Sequence, residues 1–347
     1  MNTGVYVTGR LFGRRERMAL RRSLIAAAAV VLLAPGPVAA QGTAGEPATG
    51  QTPTFKSSVD LVSVAAVVRD RKGRFVSDLS RDDFLVVEAG EPRRIIGFEA
   101  EKDGPVRLAV LFDISGSMRV GTKVIDAAQA ARHLFSALKP GDQAALFSFD
   151  TRLDKVHGFT ADFEKLASAI EKVEPPFGQT SLYDAVAETA REAVREASGG
   201  TGRLPQRTAV VVLTDGVDTR SRLTPEQVSG IASSIDVPVY VVAVMAPIDD
   251  PSRQEKESAA ALISSALRDL SQWTGGDLFI SSAPAHASMA ARQIVSELRN
   301  QYLLAIEAST RAGWRRLEVR AKQRNLVVRA RSGYLVGGNQ AISTQGR

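Results

Sequence analysis

From Val106 to about residue 300 the sequence alternates short, almost wholly apolar runs with longer segments whose apolar residues recur every three or four positions. Few folds accept that rhythm. Val106 to Phe112 is nearly continuous in apolar side chains, the pattern of a strand covered on both faces. Val124, Ala128, Ala131, Leu134, Phe135 and Leu138 then fall at helical spacing, and Lys139-Pro140-Gly141-Asp142 stops that helix before a strand from Ala144 to Phe149. Helices are predicted near 162–172 and 181–197, and Ala209 to Leu213 is a second purely apolar strand. Thr224-Pro225-Glu226-Gln227 opens a further helix, with a capping residue followed by proline at the first helical position. A strand over Val237 to Val244, a helix over 258–273, a short strand over Leu278 to Ile280 and a helix over 286–300 complete the series. Strand and helix in this order predict an α/β fold, a doubly wound and mainly parallel sheet spanning 105–298.

The flanks follow a different rule. Val59 to Val68, Phe84 to Val87 and Ile95 to Phe98 are short β-type runs separated by turns at Asp70-Arg71-Lys72-Gly73 and Ala89-Gly90-Glu91-Pro92. Tyr302 to Ile306, Leu317 to Ala321 and Leu326 to Ala330 resume the pattern, the last two reading as a hairpin around Gln323-Arg324-Asn325 with one wet face. Segments 57–104 and 299–336 are therefore expected to pack as one small β domain into which the α/β unit is inserted. The basic residues Arg311, Arg315, Arg316, Arg320, Lys322, Arg324, Arg329 and Arg331 read as the solvated face of that hairpin.

Residues 1–40 have the grammar of a secretory signal: a basic region from Arg14 to Arg22, an apolar run from Leu24 to Leu33, a break at Pro35-Gly36-Pro37 and a small-residue cleavage site at Val38-Ala39-Ala40. The apolar run is too short to span a bilayer, so no stable membrane anchor is expected after cleavage. The expectation is an exported protein, periplasmic or secreted, with a linker over 41–56 and a disordered tail over 337–347. Ser198-Gly199-Gly200-Thr201-Gly202 reads as a loop tip. The leader also accounts for the charge. It holds six arginines and one acid, leaving 38 basic and 37 acidic side chains elsewhere, so capture of nucleic acid by a broad positive field is not expected. There are no cysteines, which excludes disulfides, thiolate nucleophiles and Cys-based zinc sites.

Chemistry is concentrated just past the strand ends, where sheets of this type bind ligands. The first apolar strand ends in Asp113-Ile114-Ser115-Gly116-Ser117, and the second in Thr214-Asp215-Gly216. Between them Gly178-Gln179-Thr180-Ser181-Leu182-Tyr183-Asp184-Ala185 is a polar loop entering a helix. Gly116 is expected to let the chain turn tightly. Carboxylate and hydroxyl oxygens are hard ligands that suit Mg2+ or Mn2+.

These three motifs together resemble the metal-ion-dependent adhesion site of von Willebrand factor A domains, over about residues 105–295. The resemblance implies one divalent cation contacted directly by Ser115, Ser117 and Thr180, with Asp113 and Asp215 holding coordinated waters or binding directly in some states. It also implies a partner protein that completes the site with an exposed Asp or Glu. The flanks, from Val59-Asp60-Leu61-Val62 to Asp82-Asp83-Phe84 and from Tyr302-Leu303-Leu304 to Ser332-Gly333-Tyr334, resemble exported bacterial proteins related to that family and frequent in Acidobacteria.

An adhesion-type binding module is the expected function. The alternatives are a scaffold or assembly subunit with a structural metal and, further off, a Mg2+-dependent hydrolase. Enzyme chemistry lacks its usual parts. His133, His157 and His286 are far apart and in no recognisable motif, no Gly-x-Ser-x-Gly elbow is present, and the glycines at 199, 200 and 202 lack the following Lys-Ser/Thr of a phosphate loop. Tyr183 and Asp184 are expected to be structural at a helix start, Asp218 an exposed loop acid and Asp142 a turn residue.

Overall fold

The computed structural model describes residues 61–100, 103–173, 176–197, 207–216, 218–234, 236–245 and 257–336. The signal, the linker, the loop tip at 198–202 and the C-terminal tail lie outside the described residues. Four strands come first: β1 (Leu61–Asp70), β2 (Phe84–Glu88), β3 (Glu91–Arg93) and β4 (Ile95–Glu99). The alternating region follows as β5 (Val106–Asp113), α1 (Lys123–Ser136), β6 (Gln143–Phe149), β7 (Leu153–Thr160), α2 (Phe163–Ile170), α3 (Leu182–Ala197), β8 (Arg207–Thr214), α4 (Pro225–Ser234), β9 (Val239–Val244), α5 (Glu257–Thr274), β10 (Leu278–Ser281) and α6 (Pro284–Arg299). Four more strands close the chain: β11 (Gln301–Glu307), β12 (Gly313–Ala321), β13 (Leu326–Ala330) and β14 (Gly333–Val336).

The central sheet has the order β10-β9-β8-β5-β6-β7. Its continuous apolar runs have a simple cause: every residue of β5, β8 and β9 is buried, because both faces of the sheet are covered. Alternate side chains enter two different cores. Leu108, Val110 and Phe112 of β5 join Ala127, Ala131, Leu134 and Ile294 from α1 and α6 on one face. Ala109 and Leu111 join Leu182, Val186, Ala190 and Val228 from α3 and α4 on the other. Winding runs outward from β5 through β6 on one side and restarts at β8 on the other. The switch point therefore lies between the carboxyl ends of β5 and β8.

One edge departs from the sequence reading. β7, which the apolar pattern does not reveal, pairs antiparallel with β6. A tight turn with Arg152 N donating to Asp150 Oδ1 (2.8 Å) makes the connection. Its sequence, LDKVHGFT, is half-exposed along its length, so it lacks the apolar run that marks the buried strands.

The flanks pair with each other in two antiparallel four-stranded sheets, β13-β1-β11-β4 and β14-β12-β2-β3. Both sheets contribute to one core, with Val64, Ala66 and Val68 of β1 and Leu304 and Ile306 of β11 meeting Phe84, Val86, Leu317 and Val319. Tyr302 anchors it. Its ring lies 5.0 Å from that of Phe84, and its hydroxyl donates to Val76 O and accepts from Leu79 N. The expected hairpin of 317–321 with 326–330 is not formed: β12 pairs with β2 and β14, whereas β13 pairs with β1 in the opposite sheet. The alternating pattern marks each strand's dry face but does not choose its neighbour.

The inserted region is closed at its base. Asp103 N donates to Arg299 O (3.2 Å), joining the segment that enters β5 to the end of α6. Beside it Asp142 is fully buried, accepts from Val106 N (2.9 Å) and Lys139 N (2.7 Å), and pairs with Arg299 at 2.5 Å. Asp142 is thus a turn residue, as expected, and a buried ion-pair partner as well. Two of the basic residues assigned to a solvated face are instead drawn into this seam: Arg329 pairs with Glu297 and Asp277, and Arg331 is buried against Asp236 and Ser63 O. Carboxylates of the α/β region facing β1 and β13 supply the reason. Arg320, by contrast, pairs with Glu318 on the open face of β12.

Candidate functional site

The site is built across the switch point. Asp113 ends β5 with its side chain wholly buried. Oδ1 accepts from Ser115 N (2.8 Å), a local turn that folds the chain over the strand end. Oδ2 accepts from Thr214 Oγ1 (2.6 Å) on β8, and Thr214 Oγ1 in turn accepts from Gly216 N (2.9 Å). Ser115 Oγ and Ser117 Oγ lie 3.1 Å apart at the start of a short 3-10 turn, Gly116–Arg119. Ser117 Oγ donates to Asp215 Oδ1 (3.1 Å), and Lys123 Nζ from the first turn of α1 donates to Asp215 Oδ2 (3.1 Å).

Thr180 enters on a third segment that is fixed through its backbone. Its N–H donates to Thr219 Oγ1 (2.9 Å), and its carbonyl accepts from Thr219 N (3.0 Å) and Arg220 N (2.9 Å). Toward β5, Phe177 N donates to Ile114 O (2.8 Å) and Gly116 N to Gly178 O (2.9 Å). A Cβ on Gly116 would stand 3.0 Å from that same carbonyl, so close approach of two backbones favours glycine here. The structure thus gathers Asp113, Ser115, Ser117 and Asp215 into one hydrogen-bonded cluster. It holds the buried Thr180 in the loop tied directly to it.

Two side chains here differ from the sequence reading. Asp218 is not a free loop acid: it accepts from Leu182 N (2.8 Å) and Ser221 Oγ (2.6 Å), capping α3 from a distant segment. Asp184 is structural as expected, accepting from Arg222 N and Leu223 N. Lys123 was missed, although the signal was present. It sits on the same stripe as the buried Ala127, Ala130, Ala131 and Leu134, a charge on the core face of an amphipathic helix.

The electrostatics favour a cation. Burial pushes the Asp113 carboxyl up to about 6; the bonds from Thr214 and Ser115 oppose that rise, and the negative charge of Asp215 adds to it. Its hydrogen-bond partners are neutral donors. Lys123 offsets one charge of the pair, which leaves two carboxylates and the hydroxyls of Ser115, Ser117 and Thr180 as an all-oxygen donor set. That set fits one hard divalent ion. Among the described residues no group of three or more His, Cys, Asp and Glu side chains is arranged for a metal, so an ion held here would need hydroxyl ligands.

A pH dependence follows. Because the folded-state value of Asp113 lies above the ordinary 3.8, the native chain keeps a proton that the unfolded chain releases between about pH 4 and pH 6. The contribution of Asp113 to stability without metal should fall as pH rises through that window and then level off, so the wild type should lose stability there relative to a variant without this carboxyl. Asp113→Asn should remove that contribution and, in EDTA above pH 6, be more stable than wild type by about 1–3 kcal/mol. Urea denaturation at pH 5 and pH 8 measures both; an Asn variant less stable than wild type at pH 8 would refute the assignment.

Residues 108–217 match the family described as von Willebrand factor type A domain. Over that stretch the chain is similar to von Willebrand factor A domains. The matched stretch runs from β5 to just past Asp215 and so includes all three site segments. Among solved structures, the chain is similar to an aerotolerance-related membrane protein from Bacteroides fragilis (19% identity, 56% of this chain and 98% of that one, TM-score 0.44). It is also similar to a von Willebrand factor type A protein from Catenulispora acidiphila (14% identity, 82% and 76%, TM-score 0.44). A third is proximal thread matrix protein 1 from the mussel byssus, in a form described as having a zinc-occupied MIDAS motif (16% identity, 61% and 49%, TM-score 0.43). No curated protein matches the chain.

Proposed function

We propose that the von Willebrand factor A-like domain is an exported, metal-dependent binding module that takes a carboxylate of a partner protein. Ser115, Ser117 and Thr180 would hold one Mg2+ or Mn2+ directly, with Asp113 and Asp215 through water. When bound, the ion supplies a coordination position for an Asp or Glu of the partner. The chain's own work is orientation. Thr214 fixes Asp113, Asp215 fixes the Ser117 hydroxyl, and the backbone bonds at Gly178 and Thr180 fix the third segment before any partner arrives. The observation that carries the reading is Asp113, a wholly buried carboxylate bonded only to neutral donors, at the end of β5 beside the hydroxyls of Ser115 and Ser117 and a third segment that carries Thr180. Export rests on the grammar of residues 1–40. No described helix is long and apolar enough to cross a membrane.

Thermal unfolding of the full chain in EDTA, and then with millimolar Mg2+ or Mn2+, tests the site. An ion at a hundred times its Kd stabilises by about 2.7 kcal/mol, so a rise of several degrees is expected for wild type and none for Asp113→Ala. An unmoved Tm together with no uptake in equilibrium dialysis would overturn the reading. Far-UV circular dichroism in EDTA separates the two metal roles: an intact spectrum supports a binding site, and loss of structure supports a metal that holds the fold.

A further inference from the structure

We propose that the face around this site binds an acidic segment of another protein that carries an apolar side chain next to its metal-seeking carboxylate. The proposal rests on the metal-site reading and adds the chemistry of the partner. Just past Thr180, a groove of about 540 Å³ is lined by Arg152, Ser181, Asp184, Glu188, Arg220 and Arg222. The Thr180 carbonyl accepts from Arg220 N, so the groove begins where the candidate ligands end. Its charges are unequally engaged. The Asp184 carboxylate accepts from Arg222 N and Leu223 N, and Arg220 Nε is held by Gln179. No described carboxylate lies within ion-pair distance of the Arg152 or Arg222 guanidinium, which leaves two planar cations facing outward against the single exposed acid Glu188. Guanidinium groups match carboxylates in geometry as well as charge.

Apolar side chains are exposed on the segment before Thr180, just after the Ser115–Ser117 turn and in the first turn of α1. Phe177 is 76% exposed, Val120 46% and Ile125 63%, three of the nine large apolar side chains exposed among the described residues. The bonds Phe177 N to Ile114 O and Gly116 N to Gly178 O bring the Phe177 loop against the Ser115–Ser117 turn. An exposed aromatic whose backbone is held at its own N–H and at the carbonyl of the next residue is the form of an interface anchor, since less ordering entropy remains to be lost on binding. A phosphate polymer fits poorly. Phosphates gain nothing from Phe177, and Glu188 and Asp184 oppose a dense polyanion. An acidic peptide with one apolar residue satisfies the metal, the arginines and the aromatic together.

The test uses the full chain and a phage-displayed random dodecapeptide library, selected in Mn2+ and eluted with EDTA. Recovered peptides should carry an Asp or Glu, at least two further acidic residues and a neighbouring apolar one. The double variant Arg152→Glu/Arg222→Glu should weaken the best synthetic peptide by about tenfold or more, and Phe177→Ser by several-fold. Both variants should take up Mn2+ in equilibrium dialysis like wild type, whereas Asp113→Ala should lose Mn2+ and peptide alike. Peptides with a lone carboxylate and no further acidic bias, affinities unmoved by the arginine reversals, or Mn2+ uptake without any EDTA-sensitive peptide would each overturn this proposal while leaving the metal site standing. Absence of Mn2+ uptake in wild type would overturn both.

Discussion

Asp142→Ala is expected to destabilise the protein by about 3–5 kcal/mol, the usual penalty for removing one partner of a buried ion pair. For a domain of this size that is about 10 °C in Tm. Asp142 does three things at once at the base of the α/β region. It satisfies Val106 N at the start of the central strand, holds Lys139 N in the turn before β6, and neutralises Arg299 at the end of α6. Alanine leaves two buried N–H groups and a guanidinium without that acceptor. Arg299→Met in the same background should restore part of the loss, because replacing both members of such a pair is gentler than replacing one. Thermal and urea unfolding of the two single variants and the double variant measure the coupling. A single-variant loss under about 1 kcal/mol, or strict additivity, would show that the pair is not coupled as its geometry requires.

The second large effect is predicted at Lys123, and it has opposite signs with and without metal. In EDTA, Lys123→Met should cost about 2–4 kcal/mol, since Asp215 loses a nearly buried ammonium (side chains 8% and 2% exposed) while Asp113 lies close by. With Mn2+ the same variant should bind the ion at least about tenfold more tightly, because a monocation no longer competes with a dication for one carboxylate. The metal-induced rise in Tm should therefore be larger than in wild type. Isothermal titration with Mn2+ reads the affinity directly. A weaker or unchanged Mn2+ affinity would show that Lys123 supports the site and does not oppose the ion.

What the sequence made legible follows from physics that acts locally. Strands buried on both faces must be apolar throughout, so β5, β8 and β9 announced themselves, and helices packed on one side carried their period openly. β7 and the pairing of β12 were hidden for the converse reason. An edge strand needs no apolar run, and alternation marks a dry face without naming the neighbouring strand. The oxygen donors were visible because Asp113, Ser115 and Ser117 sit within five residues of each other. Thr219 and Asp218 act on groups brought near only by another loop, which no local spacing encodes, whereas helical spacing put Lys123 on the core face of α1 without naming its partner. The arginines at 329 and 331 misled because their partners, Glu297, Asp277 and Asp236, lie across the seam.

The bond between Asp103 and Arg299 has a consequence for the order of events during synthesis. β1 and β2 leave the ribosome first, yet their partners β11, β12 and β13 emerge only after the whole inserted region. Closing so long an open chain costs about 5 kcal/mol of entropy. An insert that folds alone and fastens its own entrance to its exit removes most of that penalty before the last strands appear. It delivers β11 to β4 almost as a short turn would. Until then β1, with its apolar row of Val62, Val64, Ala66 and Val68, must wait without its partner strands. The vulnerable moment in the life of this chain is therefore that interval, when a chaperone or a second nascent copy can reach the row first.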